Sequence, residues 1–172
     1  MTTIKVRFFP LLLLVLALAP GGAALAADFT TVEQVLAADT PPDGVVFEIA
    51  TADDNALEWA IPIVRRDAAR LRKQFPQLDI ALVTHGEEQF GLRKQEGDTV
   101  PRLQSLARAL VEDDGIQLHV CGTFAGWRGL SEEDFPDFID VTAAGPAQVN
   151  MYRELGFVVI LVRQDDDDEY DM

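Results

Sequence analysis

The chain contains one cysteine, Cys121, at the end of an apolar run (residues 116–121) that indicates a buried strand. A thiolate is a nucleophile and a metal ligand, whereas a buried thiol in a core behaves as a small hydrophobic residue. A single cysteine cannot form a disulfide within its own chain. Cys121 is therefore either a reactive group at the edge of a sheet or a packing residue, and the sequence leaves both interpretations open.

Several polar or small residues could support a reactive thiol at position 121. Gly122 and Thr123 follow it directly and would let backbone N–H groups approach the sulfur. Arg128 could hold a sulfur oxyanion or a carboxylate through forked hydrogen bonds. His85 could polarise the thiolate or a bound anion, although a loop histidine without a role is an equal alternative. We expect Gly122, Thr123, Arg128 and His85 to form the substrate-binding surroundings of Cys121.

His119 lies two residues before Cys121, so both side chains point to the same face of the strand. We expect His119 to pack beneath a helix as a hydrogen-bonded core residue. The alternative is a soft-metal site, for example for copper, built from His119 and Cys121 with Met151 nearby. Because the sequence guarantees so few ligands, we expect no metal and no other cofactor. Trp127 could line a pocket or a subunit contact, or be an ordinary core aromatic.

Composition and motifs exclude several classes of protein. The chain has 14 basic and 29 acidic residues, a net charge of −15, which excludes the basic surface of a nucleic-acid binder and disfavours an anionic membrane surface. It lacks a Gly-x-Gly-x-x-Gly loop, a Walker lysine motif, a Cys-x-x-Cys pair and a Gly-x-Ser-x-Gly elbow. Dinucleotide oxidoreductase, NTPase, thioredoxin and serine hydrolase functions therefore have no support.

The order of predicted elements indicates how these residues are positioned. Apolar runs predict five strands, at residues 44–50, 78–84, 116–121, 138–142 and 157–162. Helical spacing predicts helices between them, with Pro62 as a kink or as the first turn of a shorter helix, and with Gly115 and Gly156 as stop signals.

This alternation predicts a small doubly wound α/β domain with a mostly parallel five-stranded sheet and helices on both faces. Ligands bind beyond the carboxyl ends of the strands in such sheets. Cys121 and His85 each follow a predicted strand, and Gly145 follows a third. We therefore expect these segments to meet at one rim.

The ends of the chain differ from its centre. Lys5 and Arg7, an apolar stretch at 8–19 and the sequence Ala24-Leu25-Ala26 predict a signal peptide over residues 1–26, cleaved after Ala26. An uncleaved anchor is the alternative. We expect an exported, periplasmic protein that does not contact the membrane after cleavage, with an N-terminal extension (27–43), one domain (44–163) and a disordered acidic tail (164–172).

Residues 116–134, in which Cys121 is followed by Arg128-Gly129 and an acidic stretch, resemble the DsrE/DsrF-like family, including the TusD-type sulfur carriers. The resemblance extends to His85-Gly86 and to residues 141–162. It implies a flavodoxin-like subunit that forms homo-oligomers, trimers or hexamers. In the sulfur-carrying members, the cysteine that matches Cys121 accepts sulfane sulfur as a persulfide and passes it to another protein.

The predicted export separates this chain from the characterised sulfur relays, which operate in the cytoplasm and in some cases feed tRNA thiolation. We expect a periplasmic sulfur carrier more than a turnover enzyme, using a donor such as thiosulfate or polysulfide and an acceptor protein. The alternative is a non-catalytic binding or assembly module of the same fold, in which Cys121 is structural.

Overall fold

The computed structural model describes residues 30–94 and 101–164 of the chain. The predicted signal peptide, and the predicted tail beyond residue 164, lie outside the described residues. Five strands form one sheet in the order β4-β3-β2-β1-β5. The strands are β1 (Gly44–Ile49), β2 (Asp79–Thr84), β3 (Gln117–Cys121), β4 (Asp140–Thr142) and β5 (Phe157–Leu161). The helices are α1 (Val32–Leu36), α2 (Leu57–Gln74), α3 (Arg102–Glu112), α4 (Gly122–Trp127) and α5 (Gly145–Glu154).

All strand pairings in this sheet are parallel, and helices cover both of its faces. Side chains of Val45 and Phe47 pack with α1, α2 and α3 on one face. Val46, Val83 and Val159, which point the other way, pack against α5. Continuous apolar strands are buried in this manner because parallel crossovers place a helix over each face. The predicted doubly wound α/β fold is therefore confirmed.

The structure confirms the predicted helix ends at Gly115 and Gly156 but not a helix that starts at Pro62. Gly115 and Gly156 adopt positive φ angles of 61° and 86° just after α3 and α5, as the sequence predicts. Pro62 does not begin a shorter helix, because α2 starts at Leu57 and continues through it. A proline there removes one helical N–H donor, and the burial of Ile61 and Val64 against the sheet offsets that loss.

Residues 30–43, the described part of the predicted N-terminal extension, contribute α1 to the hydrophobic core. Thr31 and Gln34 form a reciprocal capping box at the start of α1, and Val32 and Val35 are buried. The amide of Gln74 donates to the carbonyl oxygen of Leu36, 2.8 Å away, and joins α1 to α2. One and a half turns of helix carry too few apolar positions to show a period in the sequence.

Two further expectations need correction. Val149, Tyr152 and Leu155 have helical spacing, which predicts that all three face the core, but Leu155 is 58% exposed because α5 ends at Glu154 and the chain turns at Gly156. β4 has three residues, since the chain before Asp140 forms turns. Among the described residues, no helix combines the length and apolar character needed to span a bilayer.

Candidate functional site

The carboxyl ends of β1 to β4 surround a cavity of about 540 Å³. It is lined by residues 50–52 after β1, residues 85–87 after β2, Cys121 with part of α4, and the start of α5. The structure thus brings Cys121, His85 and the beginning of α5 to one rim, as the parallel topology predicts. A second cavity, of about 570 Å³ between α1, α2 and β5, is lined by none of the residues predicted for the site.

Cys121 is held in a defined position at the end of β3. Its Sγ accepts a hydrogen bond from the N–H of Phe124, 3.4 Å away, and its side chain caps α4. Its own N–H donates to Oε1 of Gln89 at 2.8 Å, and its carbonyl oxygen accepts from Nε2 of the same amide at 3.5 Å. Cys121 is 5% exposed, so the thiol borders the cavity with little open surface.

Gln89 and its neighbour Glu88 lie in a 3₁₀ turn, Glu87–Leu92, and both are fully buried. The carboxylate of Glu88 accepts hydrogen bonds from the N–H groups of Thr51 (2.9 Å), Gly86 (2.8 Å) and His85 (3.2 Å). A buried carboxylate is tolerated only with such partners. Glu88 therefore ties the loop after β1 to the loop after β2, and both loops line the cavity.

His85 is oriented by an acidic residue on the neighbouring strand. Its Nε2–H donates to Oε1 of Glu48, 2.9 Å away, and both side chains are largely buried. With the proton on Nε2, the neutral imidazole has Nδ1 as its acceptor. His85 also packs against the start of α5, where a Cβ on Gly145 would overlap the Cβ of His85. The histidine is therefore fixed on two sides at the edge of the cavity.

The two residues that follow Cys121 do not supply the N–H donor to the sulfur. The N–H and hydroxyl of Thr123 both donate to the carbonyl oxygen of Ala143, at 3.0 and 2.7 Å, although Thr123 does line the cavity. Gly122 packs against β4, because a Cβ there would lie 2.9 Å from the carbonyl oxygen of Thr142. The donor to Sγ comes from Phe124, since α4 begins at Gly122 and its first turn leaves that N–H free.

Arg128 is not among the residues that line the cavity. Its guanidinium pairs with the carboxylate of Glu87 and lies over the rings of Phe90 and Phe124, 5.3 and 5.8 Å from their centroids. It therefore binds a carboxylate of its own chain in this structure.

Trp127 is 77% exposed and contacts Phe124 edge to face. It forms a wall of the cavity, so the interpretation of Trp127 as a core aromatic residue is wrong.

His119 is a hydrogen-bonded core residue, as expected. Its Nδ1 lies 2.7 Å from Oδ2 of Asp140, and its Nε2 lies 2.7 Å from the hydroxyl of Tyr152. Burial lowers the pKa of His119 below 6.5, against the opposing effect of Asp140. Because both nitrogens are occupied, His119 offers no free ligand for copper. Within the two described ranges, no group of three or more His, Cys, Asp or Glu residues is arranged to hold a metal ion.

Comparisons with known proteins agree with this architecture. The model of the DsrE/DsrF-like family matches residues 44–160. The protein of unknown function MTH1491 from Methanobacterium thermoautotrophicum has a TM-score of 0.56 and 18% identity, over 69% of this chain and 97% of that chain. The conserved protein BT1422 from Bacteroides thetaiotaomicron has a TM-score of 0.51 and 12% identity, over 70% and 95%.

The ychN protein from E. coli is also similar, with a TM-score of 0.48 and 19% identity, over 70% of this chain and 99% of that chain. A comparison with curated proteins finds no match. At these identities the solved structures show the fold alone, whereas the family model covers more than half of the sequence. The chain belongs to the DsrE/DsrF-like family, which is broadly related to sulfur relay.

Proposed function

We propose that the protein is a sulfur carrier that accepts sulfane sulfur on Cys121 as a persulfide and passes it to a partner thiol. The observation that carries this proposal is the placement of Sγ at the end of β3, beside a cavity and within hydrogen-bond distance of the Phe124 N–H. An N–H donor at this point stabilises negative charge on sulfur in the thiolate and in the persulfide. Family membership supports a role in sulfur relay.

The transfer needs two exchange steps. The Cys121 thiolate attacks a sulfane sulfur, a bond from Sγ to that sulfur forms, and the donor's bond to it breaks. The leaving group departs with the electron pair, and Cys121 becomes a persulfide. A partner thiolate then attacks the outer sulfur and releases the Cys121 thiolate. The carrier ends each cycle unchanged, which agrees with a transfer function more than with a turnover enzyme.

His85 is placed to receive the thiol proton. It borders the same cavity as Cys121, and Glu48 holds the proton of the neutral ring on Nε2, so that Nδ1 is the basic atom. A carboxylate behind an imidazole also stabilises the imidazolium that forms when the ring accepts a proton. We therefore assign His85 as the proton acceptor and Glu48 as its positioning residue.

We also propose that residues 1–26 direct export, so that the carrier works in the periplasm with an extracytoplasmic donor. Expression of the full sequence in a Gram-negative host should give a protein in the periplasmic fraction that begins at Ala27. Intact-mass measurement and N-terminal sequencing test this. Recovery of the uncleaved chain from the membrane fraction would instead support the anchor.

Intact-mass spectrometry after separate exposure to an anionic donor, inorganic polysulfide, and to an uncharged donor, dimethyl trisulfide, tests the sulfur-carrying role. We expect the wild-type protein to gain sulfur from at least one of the two donors, in a form that a reducing agent removes, and Cys121→Ser to gain none. The serine variant, checked for folding by circular dichroism, is the control for sulfur bound elsewhere. A wild-type mass that stays unchanged with both donors while the fold is intact would contradict the proposal.

The low exposure of Cys121 favours a second candidate function, a non-catalytic binding module. The cavity is open and partly aromatic, so it could bind a ligand or partner while the thiol only packs. Thiol labelling separates the two functions. A labelling rate in the native state that is suppressed to the rate of global unfolding would support the binding module and contradict the carrier.

A further inference from the structure

The wall of the cavity beside Cys121 is mostly apolar. Phe124 and the exposed Trp127 form one side of it. Small apolar groups also line it at Ala50, Ala52, Ala144 and Pro146, whereas Thr51 and Thr123 contribute hydroxyl groups. Rings of this kind make favourable contacts with divalent sulfur as well as with alkyl groups. The wall next to the thiol is therefore suited to a sulfur compound with an apolar body.

The charged groups around the cavity are acidic. Glu87 lines it directly, and Glu48 lies behind His85. Among the described residues that line it, none is a lysine or an arginine. Arg128, the cation that follows Cys121 most closely in sequence, is paired with Glu87 and stacked on Phe90. An anion in this cavity would lose hydration, and the one cation that the proposed transfer forms among the lining residues, the imidazolium of His85, is already paired with Glu48.

The charge of the whole chain acts in the same direction. A net charge of −15 repels anions at longer range and slows their approach, whereas it has little effect on an uncharged compound. Both the residues that line the cavity and the net negative charge of the chain therefore favour an uncharged donor over an anionic one.

We propose that the sulfur donor of Cys121 is an uncharged organic polysulfane, R–S–S–S–R with small apolar R groups, and not a dianion such as thiosulfate or a thionate. This inference rests on the proposed sulfur-carrying function and names the class of its substrate. The R groups occupy the wall formed by Phe124 and Trp127, and the sulfur chain lies over Sγ.

The transfer from such a donor balances without an added oxidant. The Cys121 thiolate attacks the central sulfur, a bond from Sγ to that sulfur forms, and one S–S bond of the donor breaks. The thiolate R–S⁻ leaves with the electron pair and is protonated by solvent or by His85. A thiolate R–S⁻ then attacks the R-bearing sulfur, the disulfide R–S–S–R forms, and Cys121 is left as the persulfide, whose outer sulfur the partner thiolate takes up.

Two probes of opposite character test the inference on the purified protein. Dimethyl trisulfide is the uncharged donor and tetrathionate is the dianionic one, and both react readily with exposed thiols. The rate of Cys121 modification is followed by intact mass for each probe, in the folded protein and in urea. Dividing the folded rate by the unfolded rate removes the intrinsic reactivity of each probe.

We expect this folded-to-unfolded ratio to be at least about tenfold higher for the trisulfide than for tetrathionate, a difference typical of losing one favourable apolar or charge interaction. Trp127→Ala should lower the ratio for the trisulfide and leave that for tetrathionate unchanged. Trp59→Phe is the matched control, because it changes the other tryptophan of the chain, on α2, which does not line this cavity, and it should leave both ratios unchanged. Glu87→Gln should raise the ratio for tetrathionate by removing a carboxylate and freeing Arg128.

The outcomes separate this inference from the function on which it rests. If tetrathionate modifies folded Cys121 as readily as the trisulfide after normalisation, the uncharged donor is wrong and the carrier function stands. If neither probe modifies the folded protein although both modify it in urea, the carrier function fails and the inference fails with it. A preference for the trisulfide that is lost in Trp127→Ala supports both the uncharged donor and the sulfur-carrying function.

Discussion

The carboxylate of Glu48 lies 2.9 Å from Nε2 of His85, and that contact favours the proton of the neutral imidazole on Nε2, which leaves Nδ1 as the acceptor. Glu48 is on β1, His85 follows β2, and Cys121 ends β3, so three adjacent strands each contribute one residue. Parallel strands make this possible because their carboxyl ends lie side by side. At the residue scale, the reactivity of the thiol should therefore depend on a side chain two strands away from it.

Replacing Glu48 with glutamine should slow the alkylation of Cys121 at neutral pH by about tenfold, because the uncharged amide stabilises the imidazolium less. The rate of reaction with iodoacetamide measures this. Glu133→Gln, which neutralises an exposed carboxylate that does not line the cavity, should leave the rate unchanged.

A double-mutant cycle distinguishes this positioning role from a structural one. In a His85→Gln background, Glu48→Gln should have no further effect on the alkylation rate, since the group through which it acts is gone. Equal effects of Glu48→Gln in both backgrounds would contradict the assignment.

At the scale of elements, the sequence predicts the strands and the meeting of their carboxyl ends at one edge of the sheet, but it does not predict the 3₁₀ turn Glu87–Leu92. Runs such as residues 78–84 are almost continuously apolar, with Asp79 near the start, and this is typical of a strand buried on both faces. In contrast, Glu88 and Gln89 look like ordinary polar loop residues. Their partners are backbone groups far along the chain, at Thr51 and Cys121, and a sequence does not show such contacts.

The polar surroundings of the thiol were predicted only in part for the same reason. His85 and Thr123 do line the cavity, because each directly follows the end of a strand or begins a helix there. Arg128 follows Cys121 at a spacing that allows contact, yet it pairs with Glu87. The direction of a long exposed side chain depends on neighbouring charges, which sequence spacing does not specify.

Replacing Gly145 with alanine should destabilise the fold and displace His85, because the added Cβ would overlap the Cβ of His85. We expect a loss of about 1–3 kcal/mol in the free energy of unfolding, the usual cost of overpacking. Urea unfolding and the labelling rate of Cys121 measure the two effects.

Gly126→Ala is the matched control for this prediction. It also adds a methyl group to a helical glycine, in α4, but nothing lies within 4 Å of the added Cβ. We expect its stability to be unchanged or slightly raised. Equal effects of the two alanine substitutions would show that the contact between Gly145 and His85 is unimportant.

His119 joins β3 to β4 and α5 through Asp140 and Tyr152, and burial lowers its pKa. Folding therefore favours the neutral ring, so its contribution to stability is complete above the unfolded value of 6.5 and is lost as the pH falls below it. The charge of Asp140 weakens this dependence without reversing it. Tyr152 is neutral throughout this range, because burial raises its pKa.

We expect the free energy of unfolding to fall between about pH 7.5 and about pH 5.0, and to fall less in His119→Gln. Urea denaturation at both pH values measures this. The comparison isolates His119, because every other titratable group is the same in both proteins. If the free energy of unfolding fell more steeply with decreasing pH in His119→Gln than in the wild type, the lowered pKa of His119 would be contradicted.

At the scale of the whole molecule, two exposed apolar residues favour assembly into a homo-oligomer. The sheet ends in β4 on one side and β5 on the other, and the outer edge of β5 is bonded to the described part of the chain through the N–H of Thr30, which donates to the carbonyl oxygen of Val159. Met151 on α5 and Leu155, which directly follows α5, are both exposed and lie four residues apart. Isolated exposed apolar residues are common, but two of them at the end of one helix suit a subunit contact.

We therefore predict that the wild-type protein sediments as a homo-oligomer and that Leu155→Asp shifts it toward the monomer. A new charge within a subunit contact loses its hydration, so the dissociation constant should rise by at least about tenfold. In a monomer the same substitution would be harmless, because Leu155 is already 58% exposed. Sedimentation velocity over a range of concentrations measures the effect, and circular dichroism confirms that the variant is folded.

Ser105→Asp is the control for this prediction, since it adds the same charge to an exposed position on α3, which covers the other face of the sheet. If both variants dissociate, the net negative charge and not the α5 surface controls assembly. A wild-type protein that remains monomeric at every concentration would contradict the oligomer itself. Dissociation by Leu155→Asp alone would place the contact on α5, whose first turn also lines the cavity, so assembly would then border the site of Cys121.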